Sequence, residues 1–193
     1  MASQAVQISE TTFAAIDFEA AGAIPGEAPD APIQIGIAVG RLGEEPEFFE
    51  SYLAIGRPVT PGATRVHGIT DEHLQGAPTL PELYPTLAKV LGDRPLVAHA
   101  HGTEKRFLGS LPGHSFGPWV DTLKLGRKVY PQAPSHKLGR LCDSLLITPL
   151  LQEHIPARDW HDALYDAAAS LFLLFHVVRE LGLEAKSPSL LLS

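Results

Sequence analysis

The first third of the chain follows the hydrophobic pattern of β-strands. Residues Thr11–Ala20 are mostly apolar until the segment meets two acids, so we expect a strand there. Gln34–Val39 and Phe48–Ile55 are further strand candidates, with Arg41–Pro46 as the turn between them. Gly22–Pro32 contains three prolines and two glycines, which predicts an irregular loop.

The remainder of the chain mixes short apolar runs with helical periodicity. Thr79–Leu91 repeats leucine at helical spacing, with Thr79 as N-cap. Leu96–Ala100 and Trp119–Thr122 predict two short strands. Further helices are expected at Glu104–Leu111, His136–Leu146 and Asp162–Leu181, the last ended by Gly182. Strands first, then strands mixed with helices, predict an α/β fold with a mixed sheet.

Composition narrows the class of protein. The 193 residues suggest a single domain, 1–193, and the lone Cys142 excludes an internal disulfide or a cysteine-rich zinc site. Met1–Glu10 has no signal-peptide pattern, and the longest apolar run, Ala167–Val178, is shorter than the ~20 residues that a membrane span needs. We therefore expect a soluble cytoplasmic protein with no membrane contact. The net charge of −7 does not exclude nucleic acid, because an enzyme that uses divalent cations must hold several carboxylates.

Two acids, Asp17 and Glu19, stand two residues apart at the end of the first strand. Residues i and i+2 of a strand point to the same face, so the two carboxylates repel one another unless a cation lies between them. Hard oxygen ligands suit Mg²⁺ or Mn²⁺. The alternative is that both side chains simply point to water at a strand end.

A histidine and an aspartate, His161 and Asp166, stand near the start of the last helix. Five residues separate them, so they share no face if both are helical. With the histidine in the approach to the helix and the aspartate one turn further in, both can aim at one point. Histidine suits proton removal near neutrality. The alternative is an aspartate N-cap beside a surface histidine.

A third acid, Glu104, follows the buried strand Leu96–Ala100 and a glycine turn. Loops after strand ends are where mixed sheets bind ligands. Glu104 could equally be a first-turn acid that stabilises the helix dipole.

The order of these motifs resembles the three-motif pattern of the DnaQ-like (DEDDh) 3′→5′ exonucleases. Further segments match the layout of that family: Val66–Thr70 (VHGIT) followed by Ala77–Pro78, Val120–Leu123 (VDTL), Arg127–Lys128, and His136–Leu141 (HKLGRL). The resemblance covers a core of about residues 11–181 and leaves a short C-terminal tail, 182–193. It implies a ribonuclease H-like fold, a mixed five-stranded sheet flanked by helices, with strands 1 to 3 antiparallel and two more parallel.

The resemblance also implies a mechanism with two divalent metal ions, Mg²⁺ or Mn²⁺. Asp17 would bridge both ions, Glu19 and Asp166 would hold the first, and Glu104 would bind the second, often through water. His161 would be the general base that takes a proton from a water, and the product would be a nucleoside 5′-monophosphate released from a 3′ end. Ala20 and His67 would lie against the terminal nucleotide, although a turn histidine that holds a backbone carbonyl is an equal alternative for His67.

Three positions depart from the family pattern. The second-motif acid, usually aspartate, is Glu104, whose extra methylene reaches further but is held less firmly. Ala100 stands where the family usually has asparagine, and Ala20 where it has threonine. These changes keep open a catalytically weak or silent nucleic-acid-binding module of the same fold.

Two other families share part of the pattern. His161–Asp162 also spells the dyad of the HD phosphohydrolases, but that family is all-helical and the strands of Thr11–Ile55 contradict it. Proofreading subunits of DNA polymerases resemble this chain but usually continue into a polymerase-binding tail, so a stand-alone nuclease is favoured and a polymerase partner is not expected. The expected partners are 3′ ends of single-stranded DNA or RNA, with a homodimer possible.

Overall fold

The protein is built on one five-stranded sheet, seen in a computed structural model that describes residues 6–193. The interpretation of Met1–Glu10 therefore falls partly outside the described residues. The strands are β1 (Phe13–Ala20), β2 (Pro32–Gly40), β3 (Glu47–Tyr52), β4 (Leu96–Ala98) and β5 (Trp119–Asp121).

Helices cover both faces of this sheet. In chain order they are α1 (Pro61–His67), α2 (Leu80–Leu91), α3 (Gly102–Leu108), α4 (Thr122–Val129), α5 (Leu138–Ser144), α6 (Thr148–His154) and α7 (Ala163–Glu180), with short 3₁₀ turns at Ile8–Glu10 and Pro188–Leu191. None of the helices between residues 6 and 193 is long and apolar enough to cross a membrane.

The strand order is β3-β2-β1-β4-β5. β1 pairs with β2, and β2 with β3, in antiparallel register, whereas β4 runs parallel to both β1 and β5. This confirms the predicted α/β class, the ribonuclease H-like mixed sheet and the orientation of its strands. β1 is central, so its carboxyl end meets elements from both halves of the chain.

Alternation along β1 divides the core between the two faces. Phe13 and Ala15 pack with α7, α5 and α6, whereas Ala14, Ile16 and Phe18 pack with α2 and α3. α7 is apolar nearly all round because it lies between the sheet and the helices α4, α5 and α6. By the same alternation, the odd-numbered residues that end β1 face α7.

The predicted elements are present with shifted ends, and three helices were not predicted. The third strand runs over Glu47–Tyr52 instead of ending at Ile55, and the fourth ends at Ala98 instead of Ala100. The missed helices α1, α4 and α6 are no shorter than α3 and α5, which were predicted, but each buries at most one apolar side chain, so the apolar pattern that would mark them is absent. Local cues to α1 were nevertheless available: the Thr60 hydroxyl accepts from Ala63 N, and Pro61 opens the helix.

Candidate active site

Two carboxylates at the end of β1 face the beginning of α7. Asp17 and Glu19 have the same strand parity as Ala15, which packs in the cluster around α7. Glu19 is 9 % exposed and Asp17 is half-buried. The alternative in which both side chains point to water at a strand end is therefore not what the structure shows.

The start of α7 places the histidine and the third carboxylate. His161 is exposed and adopts a left-handed backbone conformation, φ 68°, immediately before the helix. Asp162 is the N-cap, and its Oδ1 accepts hydrogen bonds from Leu164 N and Tyr165 N, both at 3.1 Å. Asp166 lies one turn further in. The predicted histidine on the approach and the aspartate N-cap given as its alternative are thus both present, on neighbouring residues.

α7 approaches the sheet so closely because β2 has a glycine opposite Asp17. A Cβ on Gly36 would lie 2.1 Å from Leu164 N and 2.3 Å from Ala163 O. Such a distance is far inside van der Waals contact, so only glycine lets the first turn of α7 lie flat against the sheet. A lone glycine in a strand has no distinctive pattern, so the importance of Gly36 could not be predicted from the sequence.

A polar network that runs from buried Gln34 to exposed Glu50 fixes the same helix end. Gln34, opposite Glu19 on β2 and 2 % exposed, donates from Nε2 to Asp162 Oδ2 at 3.0 Å and accepts from Ala163 N at 3.1 Å. Arg158 donates to the same Asp162 oxygen at 2.6 Å and to Glu50 Oε1 on β3 at 2.5 Å. We call these four side chains, Glu50, Arg158, Asp162 and Gln34, the α7 latch. Sequence reasoning missed its role, because it joins residues more than 100 positions apart.

Glu104 reaches the site from the first turn of α3. It is 5 % exposed, and its Oε2 is buried without a hydrogen-bond partner. A first-turn acid that served only the helix dipole would stay in water. The burial of Glu104 therefore favours the predicted role at the site over its alternative.

These acids form one electrostatic cluster. Burial, followed by the charges of Asp166, Glu104 and Glu19, raises the pKa of Asp17 well above its usual value. Burial and the charge of Asp166 raise the pKa of Glu19 to about 8. Burial raises the pKa of Glu104 to about 7. Burial likewise raises the pKa of Asp166 to about 7, although a backbone hydrogen bond from His161 lowers this pKa in part. Four such groups cannot all ionise near neutrality without a compensating cation.

The donors fit a hard divalent metal ion. One ligand atom each from Glu19, His161 and Asp166 lie within 4.8 Å of one another. Asp166 Oδ1, like Glu104 Oε2, is buried and unpartnered. Buried carboxylate oxygens without hydrogen bonds are expensive, and oxygen-rich sites suit Mg²⁺ or Mn²⁺. Asp17 is outside the three-residue group, but it is close enough to Asp166 and Glu104 for both of their charges to raise its pKa.

The two residues predicted to bind the terminal nucleotide contact each other. His67, at the end of α1, accepts from Ile69 N at Nδ1 (3.0 Å), so Nε2 carries the proton and donates to the carbonyl of Ala20 at 3.1 Å. Burial lowers the pKa of His67, which keeps the ring neutral. The structure therefore shows His67 holding a backbone carbonyl, and its contact with a nucleotide stays a prediction.

Comparison with known proteins identifies the family. A family model described as an exonuclease, RNase_T, matches residues 14–174. The chain therefore belongs to this exonuclease family, and the resemblance to DnaQ-like exonucleases is confirmed.

Curated relatives include polymerases much longer than this chain. The PolC-type DNA polymerase III of Bacillus subtilis is 29 % identical over 179 residues, which cover 90 % of this chain and 12 % of the polymerase. That of Streptococcus mutans is 30 % identical over 183 residues, 91 % of this chain and 12 % of the polymerase.

Solved structures share the fold. Exonuclease X in complex with 5′ overhanging duplex DNA superposes with a TM-score of 0.70 at 23 % identity, over 91 % of this chain and 96 % of that chain. The nuclease domain of 3′hExo, a DEDDh family member bound to rAMP, gives a TM-score of 0.68 at 18 % identity, over 95 % and 98 %.

Proposed function

We propose that this exonuclease is a metal-dependent 3′→5′ enzyme that releases nucleoside 5′-monophosphates from the 3′ ends of single-stranded DNA or RNA. The observation that carries the proposal is the convergence of four carboxylates from β1, α3 and α7, two of them with unpartnered buried oxygens, beside an exposed histidine. Solved neighbours hold 5′ overhanging duplex DNA or rAMP on the same fold, which supports a nucleic-acid substrate.

The four carboxylates divide into two sets of metal ligands. Glu19 and Asp166 would hold the first ion, since their oxygens are close together. Glu104 would hold the second, and Asp17, which feels the charges of both Asp166 and Glu104, would bridge the two. When bound, the ions supply the positive charge that lowers the pKa of an attacking water and stabilises the attacking and leaving oxygens of the phosphodiester.

His161 is the general base in this proposal. Its ring is exposed and next to Glu19 and Asp166, so it can remove a proton from a water at the site and pass it to solvent. The α7 latch holds the side chain of the adjoining residue, Asp162, and thereby restrains the position of the His161 ring. Ala20 and His67 would support the terminal nucleotide from the other side of β1.

The test is a time course on 5′-labelled single-stranded DNA and its RNA counterpart with Mg²⁺, Mn²⁺ or EDTA. We expect a ladder that shortens from the 3′ end, is abolished by EDTA and is reduced about 10²–10⁴-fold by His161→Ala, the usual contribution of a general base. His114→Ala, at a histidine outside the acid cluster, is the matched control. A folded protein that cleaves neither substrate with either metal would contradict the proposal and favour the nucleic-acid-binding module.

Proofreading for a DNA polymerase is a second candidate function, because the curated relatives above are PolC-type polymerases. The expectation that no polymerase partner is involved is accordingly not confirmed. A primer–template with either a matched or a mismatched 3′ nucleotide distinguishes the two functions. A proofreading unit would bind a purified replicative polymerase and, in its presence, remove the mismatched nucleotide faster; equal rates and no binding would leave the stand-alone nuclease.

A further inference from the structure

One stretch of this acidic chain carries only positive charge. From Thr122 to Cys142 there is no aspartate or glutamate, although the whole chain has a formal charge of −7. The same stretch contains five cations: Lys124, Arg127, Lys128, Lys137 and Arg140. Positive charge concentrated in this way in an acidic protein indicates a local anionic partner.

These cations are exposed and unpaired. They lie on α4, α5 and the loop between them, and each side chain is exposed to solvent. Within residues 6–193, no carboxylate lies within ion-pair distance of any of the five. Their charge is therefore available to a ligand.

Two of them line a groove of about 360 Å³ between α4 and α5, formed by His99, Leu123, Arg127, Ser135, His136 and Lys137. A second groove shares Ser135 and Lys137 with it and adds Arg140 and an acid, Asp143. We call the first groove, whose charged lining residues are Arg127 and Lys137, the basic groove.

Histidines brace the floor of this groove. His99 Nε2 donates to the carbonyl of His136 at 2.8 Å, and its Nδ1 is 3.0 Å from the Thr122 hydroxyl. His136 donates in turn to the carbonyl of Tyr130 at 2.9 Å. Burial lowers the pKa of His99, so the ring is neutral and serves the loop rather than an anion. The positive charge of the groove comes from Arg127 and Lys137.

The groove begins one strand away from the acid cluster. β4 is parallel to β1 with Val97 opposite Ala15, and His99, which lines the groove, follows directly after the end of β4 at Ala98. The groove therefore begins at the end of the strand next to the one that carries Asp17 and Glu19. A polymer whose end occupies the site can extend from there toward the groove.

We propose that the basic groove binds the phosphodiester backbone of the nucleic acid whose 3′ end occupies the active site, with Arg127 and Lys137 as phosphate ligands. The proposal rests on the proposed function. Arg offers a planar fork and Lys a mobile point charge, both suited to phosphate oxygens. The cations also offset the repulsion that a polyanion meets on approaching four carboxylates. The groove would thus make the protein bind polynucleotides more tightly than single nucleotides.

The experiment measures binding with Ca²⁺ in place of Mg²⁺ by fluorescence anisotropy, using labelled single-stranded oligonucleotides of 2 to 12 nucleotides over a series of salt concentrations. We expect wild-type affinity to rise with length. Arg127→Ala/Lys137→Ala should lose that rise, weaken 12-mer binding at least about tenfold, and lower the slope of log K against log salt by about 0.7 per cation removed. Arg127→Lys/Lys137→Arg keeps the charge and should keep the slope.

The control is Lys89→Ala/Lys186→Ala, which removes two exposed, unpaired cations outside the groove. If the groove variant behaves like this control, the proposal is wrong, whether or not the enzyme cleaves. Another outcome is that wild-type protein cleaves neither substrate while only the groove variant loses length-dependent binding. In that case the groove proposal stands and the proposed nuclease activity fails.

A 5′ overhanging duplex, measured in parallel, separates two sources of phosphate. A loss confined to the duplex assigns the groove to the complementary strand and would overturn the assignment to the strand that ends in the site.

Discussion

At the scale of single residues, the site contains more buried negative charge than the fold can tolerate alone. The pKa is raised on folding from 4.5 to about 8 for Glu19, from 4.5 to about 7 for Glu104 and from 3.8 to about 7 for Asp166. A raised pKa contributes stability that is complete below the unfolded value and is lost as the pH rises through the folded value. The cluster therefore makes the metal-free protein sensitive to alkaline pH.

In EDTA, we accordingly expect the Tm to fall between pH 5.5 and 8.5, as these carboxyls are forced to ionise together. Mg²⁺ or Mn²⁺ should raise the Tm much more at pH 8.5 than at pH 5.5, because the ion binds the ionised form. Calorimetry with and without metal measures this. Asp166→Asn, which removes one of the charges, should flatten the metal-free curve, and a wild-type Tm independent of pH in EDTA would contradict the interpretation.

Glu104 is the one acid of the cluster that departs from the family pattern, and substitutions can separate the effect of its charge from that of its size. Glu104→Gln keeps the size but removes the charge, so activity should fall by more than the about 10–100-fold typical of outer-shell changes at metal sites. Its metal-free Tm should not fall, because a buried charge has gone. Glu104→Asp should retain activity and change the ratio of Mn²⁺-supported to Mg²⁺-supported rates. Full activity in Glu104→Gln would remove this residue from the set of metal ligands.

At the scale of elements, the site depends on how α7 meets the sheet. Gly36→Ala would place a methyl group about 2 Å from the backbone of Ala163 and Leu164, so the helix must shift. We expect a loss of at least the 1–3 kcal/mol that overpacking costs, together with weaker metal binding. Urea denaturation and Mn²⁺ titration measure the two effects. Gly62→Ala, on the exposed side of α1 with only Arg65 nearby, is the matched control and should be neutral or slightly stabilising.

The α7 latch gives a second way to move the same helix end. Arg158→Ala leaves Asp162 and Glu50 without their cation, and we expect metal affinity to fall about tenfold. Glu50→Gln removes only the ion pair between Arg158 and β3, so the loss of metal affinity should be smaller. If both substitutions weaken Mn²⁺ binding equally, the latch acts through β3 rather than through the N-cap.

The elements also show what a sequence reveals and what it does not. The acids and the histidine could be singled out as candidates because local spacing and motifs mark them, and the orientation of the strands followed from the family resemblance. Gly36, Gln34 and Arg158 could not, since their importance arises only when β2, the loop before α7 and α7 come together. The short helices α1, α4 and α6 were missed because each buries at most one apolar side chain, whereas the equally short α3 and α5 bury two each.

At the scale of the whole molecule, charge is segregated along the carboxyl edge of the sheet. The acid cluster lies at β1 and α7, and the basic groove lies beyond β4 on the side of α4 and α5. Net charge alone would have suggested that the protein repels polyanions. The separation of negative from positive charge explains how an acidic chain can take a nucleic-acid substrate. In the two proposals above, metal ions neutralise the acids around the 3′ end, and arginine and lysine bind the phosphates further along the strand.

The position of the site residues along the chain has a consequence for how the protein is made. His161 and Asp166 follow Asp17 and Glu19 by more than 140 positions. A nascent chain that has not yet exposed α7 has only part of the cluster. The acids of β1 and the histidine before α7 can therefore meet only after the chain has been translated through α7, so the site forms late relative to the sheet strand that begins it.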